Sequence, residues 1–433
     1  MKTNEKDIKQ GIVPALRFPE FDNHFWDIKE LSKIANLIKE RARNGNYTPM
    51  SVTSGVGLIS QKEKFGRNIS GNQYSSYFVI RKGDFAYNKS ATNLYPEGYI
   101  SMLKNIEIAA VPNSIFTCFR VNRKEVLPEY LDYLFENNYH GKWLRKFIEV
   151  GARAHGSLSI DTKKLFELPI VFPSISEQQK IIDCLSSIDA LIKAAENKID
   201  ELKAHKKGLM QQLFPAEGET VPALRFPEFQ NAGNWIKEPL SRIGEVLQGY
   251  GFPEKYQGKS LGKYPFYKVS DISKAVQTSC NFISVATNYI DDEELDILKI
   301  KTIPSGTTIF ARIGEAIRLN RRIVTTQECI IDNNTVGVKA IPENAIDLFV
   351  YYILLQINLI DFAGGIVPAV TKSAIENIPI YCPPTKSEQQ KIADCLSSVD
   401  DLIMVQTNRL ETFRSHKKGL MQQLFPNLNN HEE

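Results

Sequence analysis

The chain has 433 residues, 53 of them basic and 50 acidic, with 42% hydrophobic and 10% aromatic side chains and a formal charge of +3. That balance supplies apolar material for two to four cores and excludes a disordered, collagenous or membrane-spanning chain. A charge this small, averaged over the whole chain, does not by itself announce a nucleic-acid partner.

The N-terminal MKTNEKDIKQ carries charges with no apolar run behind them, so no signal peptide is expected. The first landmark is Val13-Pro-Ala-Leu-Arg-Phe-Pro-Glu-Phe21, an opening box that recurs unchanged as Val221 to Phe229. A first body follows, about 24–172. Its segments Tyr77-Phe-Val-Ile80, Phe85-Ala-Tyr87 and Ile115 to Val121 are short, β-branched or aromatic and bounded by Gly, Asn or Pro, which predicts strands. The pattern then predicts an amphipathic helix over Glu129 to Phe147.

Next comes a closing segment in which apolar residues fall at Ile181, Leu185, Ile188, Ile192, Ala195, Ile199, Leu202, Leu209 and Leu213, interrupted at Lys206. The alternation of four and three is a heptad seam. Ser176 ahead of Glu-Gln-Gln reads as the N-cap and Pro215 as the stop, a helix of roughly 55 Å at 1.5 Å per residue. After the second opening box a second body, about 235–382, contains strand-like Thr308-Ile-Phe-Ala311 and Val336-Gly-Val338 and a helix-like Glu343 to Ile360. The chain ends in a second closing segment: Ser387 to Pro426 matches Ser176 to Pro215 at 26 of 40 positions, with the seam kept and Gln406 and Lys417 as polar intruders. A duplicated seam packs most naturally against its own copy, as an antiparallel pair.

Charge is distributed unevenly over these parts. Residues 1–172 hold 25 basic and 18 acidic residues, net +7; 173–215 are neutral; 216–382 sum to −3 and 383–433 to −1. The first body is basic enough to attract phosphate. In the second, Asp291 to Asp296 holds five carboxylates and is expected to be a solvated turn facing away from DNA, while Arg312, Arg318, Arg321 and Arg322 form a basic loop against Glu315. Arginine forks can grip phosphate or read guanine edges.

Catalytic signatures are lacking. Gly258-Lys259-Ser260 resembles the end of a P-loop, but Pro253 stands where its first glycine is needed. No Asn-Pro-Pro-aromatic or Asp-Pro-Pro-aromatic tetrapeptide of amino-methyltransferases occurs. Six scattered cysteines without C-x-x-C spacing and six histidines without H-E-x-x-H fit reduced thiols in a cytoplasm and no metal site. A binding protein is favoured over an enzyme.

The Glu-Gln-Gln-Lys-Ile-x-Asp-Cys-Leu starts (Glu177 to Leu185, Glu388 to Leu396), the Lys-Lys-Gly-Leu-Met-Gln-Gln-Leu-Phe-Pro ends and the opening boxes together resemble the specificity subunit of type I restriction-modification systems, over essentially the whole chain. The first body resembles a family target-recognition domain in Ser51-Val-Thr-Ser-Gly-Val-Gly-Leu58 and Arg81 to Lys89. The second does so in Gly249 to Pro253, Tyr264 to Ile272 and Gly314 to Arg322.

The resemblance implies an α+β fold: target-recognition domains over 1–172 and 216–382, joined by two long antiparallel coiled-coil helices over 173–215 and 383–426, with a tail 427–433 and a pseudo-two-fold internal repeat. It implies that each domain reads one half of a bipartite, asymmetric target in double-stranded DNA, and that the helices set the unread spacer. The chain itself is then non-catalytic and without cofactor. Two modification (methyltransferase) subunits, carrying S-adenosylmethionine, and ATP- and Mg-dependent restriction subunits are the expected partners, in the cytoplasm and without a membrane.

Charge and position in family-like loops select Lys62, Lys64, Arg67, Lys89, Arg153 and His155 in the first body as candidate DNA contacts. In the second they select Tyr250, Lys255, Lys259, Arg312, Arg318, Arg321 and Arg322. Tyr250 and Tyr256 serve equally well as core aromatics. For Phe18, Phe226, Phe214 and Phe425 a buried role and a partner contact stand level. The competing reading is a coiled-coil scaffold or adaptor without direct DNA readout.

Overall fold

The structure is a computed structural model that describes residues 13–22, 24–90, 92, 94–147, 161–278 and 281–426. Chain contacts divide it into two units, residues 1–193 with 412–433, and residues 194–411. The division falls inside the two long helices, Ile175–Leu213 and Lys386–Leu424, of 39 residues each. Each unit therefore contains one body, the N-terminal part of one long helix and the C-terminal part of the other.

In the first unit the strands form two four-stranded sheets. One runs Ala35–Leu37, Phe116–Val121, Phe85–Asn88, Tyr99–Met102, all antiparallel. The other runs Gly57–Ser60, Thr48–Thr53, Ile108–Val111, Phe78–Arg81. All four residues of Phe85–Asn88 are buried, as an inner strand requires. Phe85 and Phe119 stack at 5.1 Å, and Phe135 of the helix Pro128–Glu136 meets them edge-on. A separate pair, Asp27–Glu30 with Pro169–Phe172, joins the start of the body to its end, beside the root of the first long helix.

The second unit repeats the plan with a five-stranded sheet, Gly244–Gln248, Thr335–Ala340, Thr308–Ala311, Ile323–Thr325, Phe282–Ile283. A three-stranded sheet, Asn288–Ile290, Tyr264–Tyr267, Ile330–Ile331, lies with it, and the closing pair is Ile236–Pro239 with Pro379–Cys382.

The helix expected over Glu129 to Phe147 is broken. Pro128–Glu136 and Tyr139–Leu144 are separate because Asn138 adopts a left-handed φ of 55° between them, a conformation asparagine tolerates better than most residues. The one expected over Glu343 to Ile360 is shorter, Asp347–Gln356, its last turn replaced by a 3-10 segment Leu359–Phe362. The long helices begin one residue earlier than Ser176 and Ser387. The capping oxygens belong to Ser174 and Thr385, which accept from the backbone N–H of Glu177 and Glu388.

The seam is buried within each unit. In the first, Ile181, Ile182 and Leu185 share a core with Met421, Leu424 and Phe425; in the second, Leu213 and Phe214 share one with Ile392, Ala393 and Leu396. The start of one helix thus lies against the end of the other, the antiparallel arrangement. Phe425 lies 5.4 Å from Tyr130, and Phe214 sits between Trp235 and Phe349, so these two phenylalanines are core residues. No described helix is long and apolar enough to cross a membrane.

Candidate nucleic-acid interface

The repeated motifs serve mainly to lock each body to its helix root. Arg17 of the first opening box donates two hydrogen bonds, both 2.8 Å, to the Glu177 carboxylate, and Trp26 Nε1 donates a third at 3.2 Å. Arg225, Trp235 and Glu388 repeat the same three distances in the second unit. Glu177 and Glu388 are each 1% exposed, so the paired fork offsets the cost of burying their charge. The side-chain bonds to Glu177 and Glu388 hold the Arg17 and Arg225 guanidinium groups above the ordinary arginine value. The next residue is a latch as well: Gln178 accepts from Leu127 N–H and donates to the carbonyls of Glu125 and Pro173. Gln389 makes the matching contacts to Ile346 N–H and the Asn344 carbonyl.

The polar intruders in the seam also have a role. Lys206 Nζ lies 2.6 Å from Asp400, whose other oxygen accepts from Tyr352 OH at 2.7 Å and Asn281 Nδ2 at 2.6 Å. Lys417, its repeat mate, lies 2.8 Å from Asp189 and 2.7 Å from Glu136, and Tyr133 OH donates to Asp189. Burial works against the Lys417 ammonium, but the bonds to Asp189 and Glu136 outweigh it and hold its pKa above the usual lysine value. A heptad seam cannot slide past the buried Lys206–Asp400 pair without stranding both charges, so that pair fixes helix register, while the acids facing Lys417 are partly exposed and hold it more weakly.

In the first unit, Lys62, Lys64 and Arg67 are exposed on the short helix Gln61–Phe65 and the turn behind it, which follows the hairpin Thr48–Thr53 and Gly57–Ser60. Ser60 caps that helix through the Glu63 N–H. Lys64 Nζ reaches Ser51 Oγ at 3.4 Å, and partial burial lowers its pKa. Half-buried Lys89 follows the strand Phe85–Asn88, and the Asn88 side chain reaches the Val52 carbonyl at 3.5 Å, so the fold brings Lys89 to the same hairpin. Arg153 and His155 lie outside the described residues.

A feature that sequence reasoning missed is the cleft of about 710 Å³ beside this hairpin, lined by Val56, Tyr95, Tyr99, Lys104, Asp132 and Lys193 among others. Tyr95 and Tyr99 meet edge-on at 4.9 Å, and burial raises the pKa of Asp132 against the opposing pull of Lys104. Tyrosines flanking Gly98 were the only signal in the sequence.

The second unit changes one expectation and gives two of the candidate residues partners within the protein. Asp291 to Asp296 is solvent-facing as expected but is not a turn. It begins the helix Asp292–Leu298, with Asp291 and Glu294 forming a capping box, and acidic residues suit the positive end of the helix dipole. The same acids take up the charge of Lys259, which is paired with Asp291 and lies 3.1 Å from Glu294; Lys263 sits 2.8 Å from Asp292. Lys259, 40% exposed, therefore shares its charge with two carboxylates at the protein surface. Arg322 is 3% exposed, stacked 4.5 Å from the Phe310 ring, with its NH groups on Asn320 and the carbonyls of Arg321 and Ile357. Burial pushes its pKa down to about 9, and it packs beneath the basic loop.

The remaining candidates divide more simply. Arg318 is 56% exposed and lies 3.1 Å from Glu315, and Arg321 is half-buried. Arg312 is half-buried, with Nε unpartnered. Lys255 is exposed over the Tyr256 ring at 4.6 Å. Tyr250 is half-buried against Phe266, Ile290 and Ile330, the core-aromatic alternative, and its backbone pairs with Asp332. Among the described residues no cluster of His, Cys, Asp and Glu could hold a metal ion.

The structure is built of two mixed α/β bodies, each clasped to the root of a long duplicated helix. The family model for the type I restriction modification DNA specificity domain matches residues 24–204 and 233–412, and the chain belongs to that family. Among curated proteins it is 27% identical to the putative type I restriction enzyme MjaX specificity subunit of Methanocaldococcus jannaschii, over 70% of this chain and 68% of that one. It is 25% identical to the MjaIX specificity subunit of the same organism, over 83% of each. The fold is also that of the type I restriction-modification S subunit from M. genitalium, with a TM-score of 0.56 at 15% identity, covering 96% of this chain and 100% of that one. A chain from a structure describing complex assembly and conformational transition of a type I R-M system matches with a TM-score of 0.54 at 15% identity, over 93% and 97%.

Proposed function

We propose that this chain is the DNA-reading subunit of a type I restriction-modification complex. Each body recognises one half of a split, asymmetric target, and the long helices set the distance between the halves. The observation that carries this is a duplicated frame holding unlike bodies: the clasps Arg17–Glu177 and Arg225–Glu388 have the same geometry, while the sheets they hold have different strand numbers and orders. Identical mounts with different readers suit two different half-sites.

Lys62, Lys64, Arg67 and Lys89 in the first body, and Lys255, Arg312, Arg318 and Arg321 in the second, are the side chains assigned to phosphates and base edges. Arg153 and His155 stay in that set from sequence alone. The chain has no catalysis of its own. Two modification subunits dock on the helices, bring S-adenosylmethionine and methylate the target after base flipping; restriction subunits bring ATP and Mg. The complex works in the cytoplasm.

The scaffold alternative rests on the mild net charge of the whole chain alone. Salt dependence of DNA binding by the chain with its modification subunits tests the proposal. Affinity should fall steeply between 50 and 200 mM salt, by on the order of a thousandfold for six or more phosphate contacts. Absence of binding at every salt concentration would overturn it.

A further inference from the structure

The hairpin tip Gly364–Ala369 in the second unit is built to project two apolar side chains. Ile366 is 105% exposed and Val367 62%, and no other large apolar side chain among the described residues is as exposed as Ile366. A lone exposed isoleucine needs no explanation; the support under this one does. Gly364 and Ala369 exchange both backbone hydrogen bonds, at 3.0 and 3.1 Å, closing a four-residue turn in which Gly365 takes a left-handed φ of 88°. The Pro368 carbonyl accepts from Gly314 N–H at 2.8 Å, Ile313 pairs with Ala369, and Val370 N–H donates to the Arg312 carbonyl at 2.9 Å. Val370 itself is 1% exposed and anchored in the core. The tip is thus bonded along one side to Arg312–Gly314, the start of the stretch that carries Arg318 and Arg321.

An exposed, β-branched apolar point on a turn bonded to the start of the arginine-bearing stretch matches the way DNA-bending proteins act. They grip phosphates and push Ile, Leu, Phe or Pro side chains between base pairs. We propose that Ile366 and Val367 form a wedge that inserts into one base step of the half-site read by the second unit, unstacking it. β-Branched side chains have little rotamer freedom to lose on insertion, and a step that unstacks easily, such as TA or CA, is favoured there without any hydrogen bond to a base. The inference rests on the reading of this chain as DNA-binding.

The experiment uses the chain assembled with its modification subunits and duplexes carrying its mapped target. 2-Aminopurine is placed in turn at each purine position of the half-site except the methylated adenine, which is flipped for other reasons. The expected result is a several-fold fluorescence rise at one step with the native chain. In the double variant Ile366→Ser, Val367→Ser the rise is lost, subunit assembly is unchanged, and affinity falls about tenfold, the scale of a mismatched base pair. Binding without a rise at any position overturns the wedge, as does a rise that survives in the variant or a variant that no longer assembles with its subunits. Failure of the native complex to bind DNA overturns the DNA-reading proposal itself.

Discussion

Replacing Lys206 by methionine tests whether the polar interruptions in the helix seam hold the helices in register. Methionine fills the volume of the lysine stem and has similar helix propensity, so the change removes little besides the charge. The partner, Asp400, is 4% exposed and would keep only the neutral donors Tyr352 and Asn281. Stranding one member of a buried pair costs about 3–5 kcal/mol, and two surviving donors place this case near 3 kcal/mol. For a unit of this size about 1 kcal/mol moves Tm by roughly 2–4 °C, so the second unit should melt roughly 6–12 °C lower by scanning calorimetry. Adding Asp400→Asn, which keeps an acceptor for Tyr352 and Asn281 but no charge, should recover at least half of the loss. The matching Lys417→Met change should cost only about 1 kcal/mol, because Asp189 and Glu136 are 40% and 42% exposed and water screens them. A Lys206→Met variant melting within about 2 °C of the native chain, or a double variant no better than the single, would refute the reasoning.

Other residues give independent checks. His140 is buried between Tyr87 and Phe135, and burial pushes its imidazole pKa down to about 4. The unfolded chain takes up a proton at about pH 6.5 that the folded first unit refuses, so stability should fall by up to about 3 kcal/mol as pH drops from 6.5 to 4. His140→Phe should flatten that slope in pH-dependent melting; an unchanged slope assigns it elsewhere. Arg321→Ala should reduce the salt slope of DNA binding by about one, whereas Lys259→Ala, its charge already taken by Asp291 and Glu294, should leave it nearly unchanged. Equal effects of the two changes would contradict the assignment. Arg225→Lys keeps the charge but loses the fork on Glu388, and should destabilise the second unit by about 1–2 kcal/mol in urea unfolding, against about 3–5 for Arg225→Ala. A silent Arg225→Ala would remove the clasp from the account.

The frame was legible because duplication writes it twice. The matched closing segments located both long helices to within a residue or two, and burial follows the seam at Ile181, Leu185, Ile199, Val399, Ile403 and Leu410. Strands such as Thr308–Ala311 were equally plain from composition. The local failures have local causes: Asn138 breaks a helix that hydrophobic periodicity carries straight through.

The candidate site was less legible, because a charge seen in sequence has no burial and no partner. Lys259 and Asp291 stand far apart in the chain and meet only because Tyr264 pairs with Ile290 across two strands. Arg322 reads like its neighbours Arg318 and Arg321 until Phe310 and the Ile357 carbonyl close over it. Lys206 and Lys417 looked like defects in a heptad; their acids lie on the other long helix, one antiparallel register away.

The central claim is that two unlike readers on one duplicated frame specify one split target. Its most direct test is to map methylated adenines in a methylation-free host expressing the cognate modification subunits with and without this chain. The account predicts methylation only when the chain is present, at a motif of two different half-sites separated by a gap of fixed length. A palindromic or uninterrupted motif, or methylation that does not need the chain, would contradict it.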